Sequence, residues 1–207
     1  MNKIDFKKEW KEIYSASAKQ CAVVTIPRMN FLMIDGKGDP NTTAEFHEAI
    51  NALFSVAYTI KFMIKKSREI DYGVMPLEGL WWCDNMAEFN VDHKDIWQWT
   101  IMIMQPDVVT KEIYQEAAEK VLQEKQLVSI NTMRFASFDE GSVAQLLHVG
   151  PFSEEGPTIE KLHNFLAANG YTMNGKHHEI YLSDTRRGNP QNWKTIIRMP
   201  VFPKSKT

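Results

Sequence analysis

AQLLHVGPF, residues 144–152, reads as an apolar strand closed by a glycine–proline turn. FLMIDGKGDP, residues 31–40, has the same form. Working outward from both, LEGLWW (77–82) matches HEIYLS (178–183), and TIMIMQP (100–106) matches TIIRMP (195–200). Each half therefore runs strand, glycine–proline loop, helix, glutamate-containing strand, polar loop, strand, proline. A pattern written twice points to an internal duplication of a strand–helix–strand–strand unit. The expected fold class is α+β: a tandem, pseudo-two-fold repeat whose antiparallel sheets form a concave ligand cleft that no helix covers. The first repeat spans about residues 20–106 and the second about 142–203. Both belong to a single domain over 1–207.

The remaining segments fit around these copies. Residues 5–18 read as a short amphipathic helix. In 21–40 the chain is strand-like, with Pro27 marking a break or an edge. Asn41 or Thr42 can cap a helix, and Phe46, Ile50, Leu53, Phe54, Ala57, Ile60 and Ile64 then recur at helical spacing to about residue 66. TKEIYQEAAEKVLQEK (110–125) is an amphipathic helix inserted between the repeats. A further helix follows Pro157 and stops at Gly170. DNMAEFNVDHKD and DTRRGNPQNW read as polar loops.

Composition excludes several classes. The formal net charge of the 207 residues is −2, which gives no global pull toward nucleic acid or anionic membrane. Cys21 and Cys83 are far apart and in no C-x-x-C, against a disulfide scaffold or a zinc knuckle. The N-terminal MNKIDFKKEWKEIY has no apolar core of signal-peptide length. INALFSVAYTIKFMI is too short and too interrupted to span a bilayer. The expected location is cytoplasmic. Six Trp, six Tyr, eleven Phe and eleven Met suit a broad apolar pocket, though cores use them too.

Strand alternation sorts the candidate site residues. In the 176–184 strand, His177, Glu179, Tyr181 and Ser183 share one face, and His178, Ile180 and Leu182 the other. The apolar face is expected to meet the helix of its repeat, which turns Glu179 and Tyr181 toward the cleft. By pseudo-symmetry Glu78 mirrors Glu179, and Glu78, Leu80 and Trp82 are the cleft residues of the 77–82 strand, with Trp81 in the core. On the 97–104 strand, Trp97 and Trp99 lie on one face and Gln98, Thr100 and Met102 on the other; both Trp99 and Met102 are carried as candidate lining residues. Glu179 has two readings. It is a surface or ion-paired carboxylate with Arg186, Arg187 or Arg198 as partner, or a cleft carboxylate that reads a cation or deprotonates a water. Burial is expected to raise its pKa. His148, His177 and His178 match no zinc spacing, and the H-x-E of deaminases lacks its P-C-x-x-C here. His148 is expected to bond backbone or to line the cleft rim. No metal or other cofactor is implied.

The tandem repeat, EGLWW, HEIYLSD and LLHVGPF together resemble the GyrI-like small-molecule-binding domain family over about residues 20–203, in its stand-alone branch without a helix-turn-helix module. The resemblance implies an aromatic-lined hydrophobic pocket with a buried glutamate at the position of Glu179. It also implies multidrug or effector binding, as in the effector halves of multidrug-sensing regulators. In some stand-alone members it implies hydrolysis of cyclopropane-bearing genotoxins, a detoxifying activity; others are binders or inhibitors, one of which acts on DNA gyrase. On that footing Glu179 aims a water, Tyr181 stabilises a ligand carbonyl, and Trp82 stacks on a planar apolar ligand. Glu78, Leu80, Trp99, Met102, His148 and His177 complete the expected lining. The expected partner is a hydrophobic planar small molecule, with no direct nucleic-acid or membrane contact, bound by a monomer or weak homodimer.

Overall fold

The structure, a computed structural model, describes residues 2–89 and 92–204. In chain order its elements are β1 (Asn2–Ile4), α1 (Phe6–Glu9), α2 (Lys11–Tyr14), β2 (Ala22–Ile26), β3 (Met29–Lys37), α3 (Ala44–Arg68), β4 (Ile70–Tyr72), β5 (Leu77–Trp82), β6 (Gln98–Gln105), α4 (Lys111–Lys125), β7 (Arg134–Phe138), β8 (Gly141–Val149), α5 (Gly156–Ala168), β9 (Tyr171–Met173), β10 (His177–Tyr181) and β11 (Lys194–Pro203), with short 3₁₀ turns between some of them. The chain divides into two compact units, Met1–Glu9 with Met29–Phe138, and Trp10–Arg28 with Asp139–Thr207. The expected loop 83–96 contains the turns Met86–Glu88 and Lys94–Ile96; Asn90 and Val91 lie outside the described residues.

In the first unit the antiparallel order is β5-β6-β3-β7. A short parallel pair, β1 with β4, stands apart from it. The long helix α3 buries Phe46, Ala49, Leu53, Val56, Ala57, Ile60 and Ile64, a stripe at three- and four-residue spacing. Phe46 meets the Trp81 and Trp99 rings at centroid distances of 5.7 and 5.1 Å, so those tryptophans mark the helix-covered face of the sheet. Trp99 lies over Gly36, directly across the β3–β6 pair, where any Cβ would overlap the indole. Helix α4 is capped by Thr110 and buries Ala117, Ala118 and Val121 in this unit.

In the second unit the antiparallel order is β2-β8-β11-β10, with β9 added along the far end of β11. Its core joins Ala144 and Leu146 of β8, Ile197, Met199 and Val201 of β11, and Leu162 and Leu166 of α5. The strand orders β5-β6-β3 and β10-β11-β8 are the same. The turns match as well: Gly38 N–H donates to the Trp97 carbonyl at 2.8 Å and Gly150 N–H to the Trp193 carbonyl at 3.0 Å. Both glycines have positive φ, +102° and +144°, which favours glycine at these turns.

Three expectations change. β2 pairs with β8, so residues 20–28 extend the second unit rather than the first. β7, absent from the sequence reading, takes the corresponding edge beside β3. And residues 5–18 do not form one helix but two single turns, α1 and α2. The carbonyls of Glu12 and Ser15 accept from Gln145 Nε2 at 2.9 and 3.4 Å, and that of Ile13 accepts from the Arg198 guanidinium at 2.7 Å. Those side-chain bonds tie α2 and the residues just after it to the sheet of the second unit.

Candidate functional site

Register decides which way Glu179 points. Glu179 pairs with Ile197 and Tyr181 with Thr195 on β11, while Ile197 pairs with Leu146 and Thr195 with His148 on β8. Side chains directly opposite on antiparallel strands share a face. Ile197 and Leu146 belong to the core that α5 covers. His177, Glu179 and Tyr181 therefore stand on the α5 side, and His178 and Ile180 on the other. This reverses the expectation that Ile180 meets the helix. The charged row of β10 takes the helix side because the neighbouring strands β8 and β11 supply that side with its apolar residues.

Glu179 is 15% exposed in its side chain and is gripped from both sides. Its Oε1 accepts from His177 Nε2 at 2.9 Å and its Oε2 accepts from the Tyr181 hydroxyl at 2.7 Å. Burial pushes the pKa up, as expected from the sequence. The hydrogen bond and charge of His177, the Tyr181 hydroxyl and the field of His178 outweigh it, so the carboxyl is held below its ordinary value. The expected rise is corrected to a fall: what was missing was the pair of donors two residues away on the same strand face. None of the arginines considered is the partner. Arg186 pairs with Asp184 at 2.9 Å. Arg198 lies on the opposite face, against Glu140 at 3.1 Å.

Around this carboxylate the second unit gathers aromatic and polar groups. The Phe152 ring lies 5.5 Å from Tyr181 and 5.3 Å from Trp193. His148 is tied to the turn, with Nδ1 at 3.0 Å from Thr158 Oγ1 and Nε2 at 3.2 Å from the Pro151 carbonyl, which is its backbone-bonding reading. Thr195 Oγ1, Trp193 Nε1 and His163 Nε2 are buried with no hydrogen-bond partner among the described residues. Burial and the charge of His177 hold the His163 imidazole below its ordinary pKa.

The opposite face of the same sheet carries a buried ionic cluster. Glu140 accepts from His178 Nδ1 at 2.7 Å and from the Arg198 guanidinium at 3.1 Å, and all three side chains are 1% exposed. Arg198 also donates to Gln145 Oε1 at 3.0 Å. Burial disfavours charge on Glu140, yet His178 and Arg198 hold its pKa below the ordinary carboxylate value. With the Ile13 carbonyl as a further acceptor, this cluster fastens the N-terminal segment to the sheet.

In the first unit the expected lining residues do not share a surface. Trp81 pairs with Trp99, and Glu78 with Met102. Trp99 is thus on the α3 side, 1% exposed, a core residue rather than a ligand wall. Glu78, Leu80, Trp82 and Met102 lie on the side away from α3. Glu78, 1% exposed, is consequently no mirror of Glu179, which lies on its helix side. The position that corresponds to Glu179, two residues before the aromatic Trp81, is Gly79.

Among the described residues no helix is long and apolar enough to cross a membrane, and no group of three or more His, Cys, Asp or Glu is placed to hold a metal. The profile of the GyrI-like small molecule binding domain matches residues 19–201, nearly the whole chain. The chain belongs to the GyrI-like family. This GyrI-like domain is also similar to solved structures from Listeria innocua. One, an uncharacterized conserved protein, is 42% identical over 96% of this chain and 100% of its own, with a TM-score of 0.88. Another, described as a hydrolase, is 40% identical over 97% of this chain and 100% of its own, with a TM-score of 0.86. The C-terminal domain of EcmrR, 14% identical over 89% of this chain and 98% of its own, shares the fold with a TM-score of 0.55. No curated protein matches the chain.

Sequence reasoning about the GyrI-like domain missed Phe152, Thr195, Trp193 and Glu140. A signal for two of them was present. Trp97 and Trp193 each stand just before the last strand of their half, so Trp193 and Thr195 correspond to Trp97 and Trp99. Glu140 carries no pattern of its own, since it lies in the two-residue link between β7 and β8.

Proposed function

We propose that this GyrI-like domain binds planar, apolar small molecules on the α5 side of its second unit and hydrolyses a strained, cyclopropane-bearing electrophile, the chemistry of a genotoxin-detoxifying enzyme. The observation that carries the proposal is Glu179: a carboxylate on a largely apolar sheet face, held ionised by His177 and Tyr181 beside Phe152 and Trp193. The Listeria innocua relatives described as hydrolases, 40% and 41% identical, support a catalytic reading. The matching strand orders and glycine turns support reading the chain as two tandem copies of one strand–helix–strand–strand element, within a single GyrI-like domain.

In the reaction, water oxygen bonds to a cyclopropane CH₂ and the strained carbon–carbon bond breaks. Its electron pair moves through a conjugated dienone to the carbonyl oxygen, which becomes a phenolate. Glu179 takes the water proton, and the phenolate is protonated in turn. Substrate and water sum to a hydroxyalkyl phenol. A carboxylate with a lowered pKa is a weak base, so Glu179 contributes orientation and charge more than proton affinity, and ring strain supplies the driving force.

A spirocyclopropyl cyclohexadienone tests this by the ultraviolet absorbance of the phenol formed. Glu179→Gln removes both the water-orienting charge and the proton acceptor and is expected to lower the rate by about 10²–10⁴, while still quenching tryptophan fluorescence saturably with the probe. Full turnover by that variant removes Glu179 from the chemistry. A second reading has one observation in its favour: an ionised carboxylate among aromatic rings also suits a planar cation. Binding of probe and of a cationic dye by the wild-type chain, with no phenol formed, would favour that non-catalytic reading.

A further inference from the structure

Tyr181 has one hydroxyl proton, and Glu179 Oε2 receives it at 2.7 Å. While Glu179 is ionised, Tyr181 is not the donor to a ligand carbonyl, and the electron pair released on ring opening needs another acceptor site. Two buried polar atoms near Tyr181 lack hydrogen-bond partners among the described residues. Thr195 pairs with Tyr181 across the β10–β11 ladder, on the same face, and is 1% exposed; its Oγ1 has no hydrogen-bond partner among the described residues. Trp193, two residues earlier, presents Nε1, a group that can only donate, with no partner either. On the other flank of Thr195, His148 is engaged by Thr158 and the Pro151 carbonyl. A buried polar group left without a partner is destabilising, and most such groups in folded proteins are satisfied.

We infer that Trp193 Nε1–H and Thr195 Oγ1–H are the donors that bind a carbonyl oxygen of the ligand, which makes the preferred ligand a planar aromatic ketone or dienone rather than a plain hydrocarbon. The inference deepens the hydrolase reading and rests on it for its chemistry, since the same oxygen becomes the phenolate. Phe152 is the movable cover. It is 41% exposed, sits on a single 3₁₀ turn after the Gly150–Pro151 link, and lays its ring against both Tyr181 and Trp193. A flat ligand that displaces this ring gains the same aromatic contacts and uncovers the donors.

Two probes separate binding from chemistry. Fluorenone and fluorene share a planar frame and differ at one carbon, a carbonyl against a CH₂. The wild-type protein is expected to bind fluorenone more tightly. Thr195→Val and Trp193→Phe are each expected to weaken fluorenone by about tenfold, the scale of one neutral hydrogen bond, and to leave fluorene unchanged. On the spirocyclopropyl cyclohexadienone the same variants are expected to lose about 10²–10³ in kcat, as when an oxyanion donor is removed. Intact fluorenone binding and intact turnover in Thr195→Val, whatever its melting temperature, overturn the inference. So does a wild-type protein with no preference for fluorenone. If Thr195→Val fails to fold, Trp193→Phe at its half-buried position decides. If the wild-type protein forms no phenol, the hydrolase reading falls while the fluorenone comparison still judges the donors; if Glu179→Gln turns over normally, only the role of Glu179 falls. If Glu179→Gln is inactive and both donor variants are normal on both probes, the donor assignment alone falls.

Discussion

Replacing Glu179 by glutamine should destabilise the protein, and the sign follows from its partners. From the sequence alone the opposite is expected, because a carboxylate on an apolar strand is a desolvated charge that an amide relieves. In the structure both oxygens accept charge-assisted hydrogen bonds, from His177 at 2.9 Å and Tyr181 at 2.7 Å. Glutamine can still accept from His177, but its NH₂ group then faces the Tyr181 hydroxyl, which must turn and become the acceptor. Hydrogen bonds to a charged group contribute about 1.5–3 kcal/mol and neutral ones about 0.5–1.5, so two weakened bonds amount to about 2 kcal/mol. For a chain of this length that is a fall of about 4–8 °C in melting temperature. The pH dependence has a fixed sign. Glu179 titrates below its ordinary value of 4.5 in the folded state, so its stabilising contribution is complete above that pH and fades as pH drops through the folded value. Thermal melts of wild type and Glu179→Gln should therefore differ most near neutrality and converge in acid. A variant as stable as wild type at pH 7, or more so, would refute the reasoning and return Glu179 to the status of a tolerated buried charge.

Arg198→Met should be worse. It leaves Glu140 with His178 alone at a site 1% exposed and orphans the Ile13 carbonyl, and breaking a buried ion pair on one side costs about 3–5 kcal/mol, readable by urea unfolding. Restoring much of that loss with Glu140→Gln in the same chain would confirm that the stranded charge is the cause. In the first unit, Gly36→Ala puts a methyl group into the Trp99 ring and should lower stability by about 1–3 kcal/mol, with a changed near-ultraviolet circular dichroism signal from the tryptophans. An unperturbed spectrum and melt would mean the indole moves aside freely.

Strand periodicity placed most of the elements. The glycine–proline turns after β3 and β8, the helical stripe of α3 and the proline-led α5 are all local in origin, set by φ, capping and side-chain spacing within a few residues. The same periodicity correctly grouped His177, Glu179 and Tyr181 on one face and put Trp81 in the core. It failed where pairing matters. β7 and β2 each acquire their place only by bonding to a strand distant in sequence, β3 and β8 respectively. The N-terminal segment is held as two short turns and tied down by Gln145 and Arg198, which lie more than a hundred residues further along the chain.

The sequence by itself determined which side chains of β10 travel together; only the tertiary structure decided which group meets the helix. Alternation has a period of two and carries no label for inside, so Ile180 and Glu179 are equally good candidates from β10 alone. The choice is made by cross-strand register with β11 and β8, whose Ile197, Met199, Leu146 and Ala144 must be buried beneath α5. Once those residues take the helix side, Glu179 is carried there with them, and the hydroxyl of Tyr181 and the imidazole of His177 make its charge tolerable. Burial without neighbours raises a carboxyl's pKa, and neighbours two residues away lower it. Spacing shows that such neighbours exist; only the folded geometry, with both donors within 3 Å of the carboxylate, shows that they win.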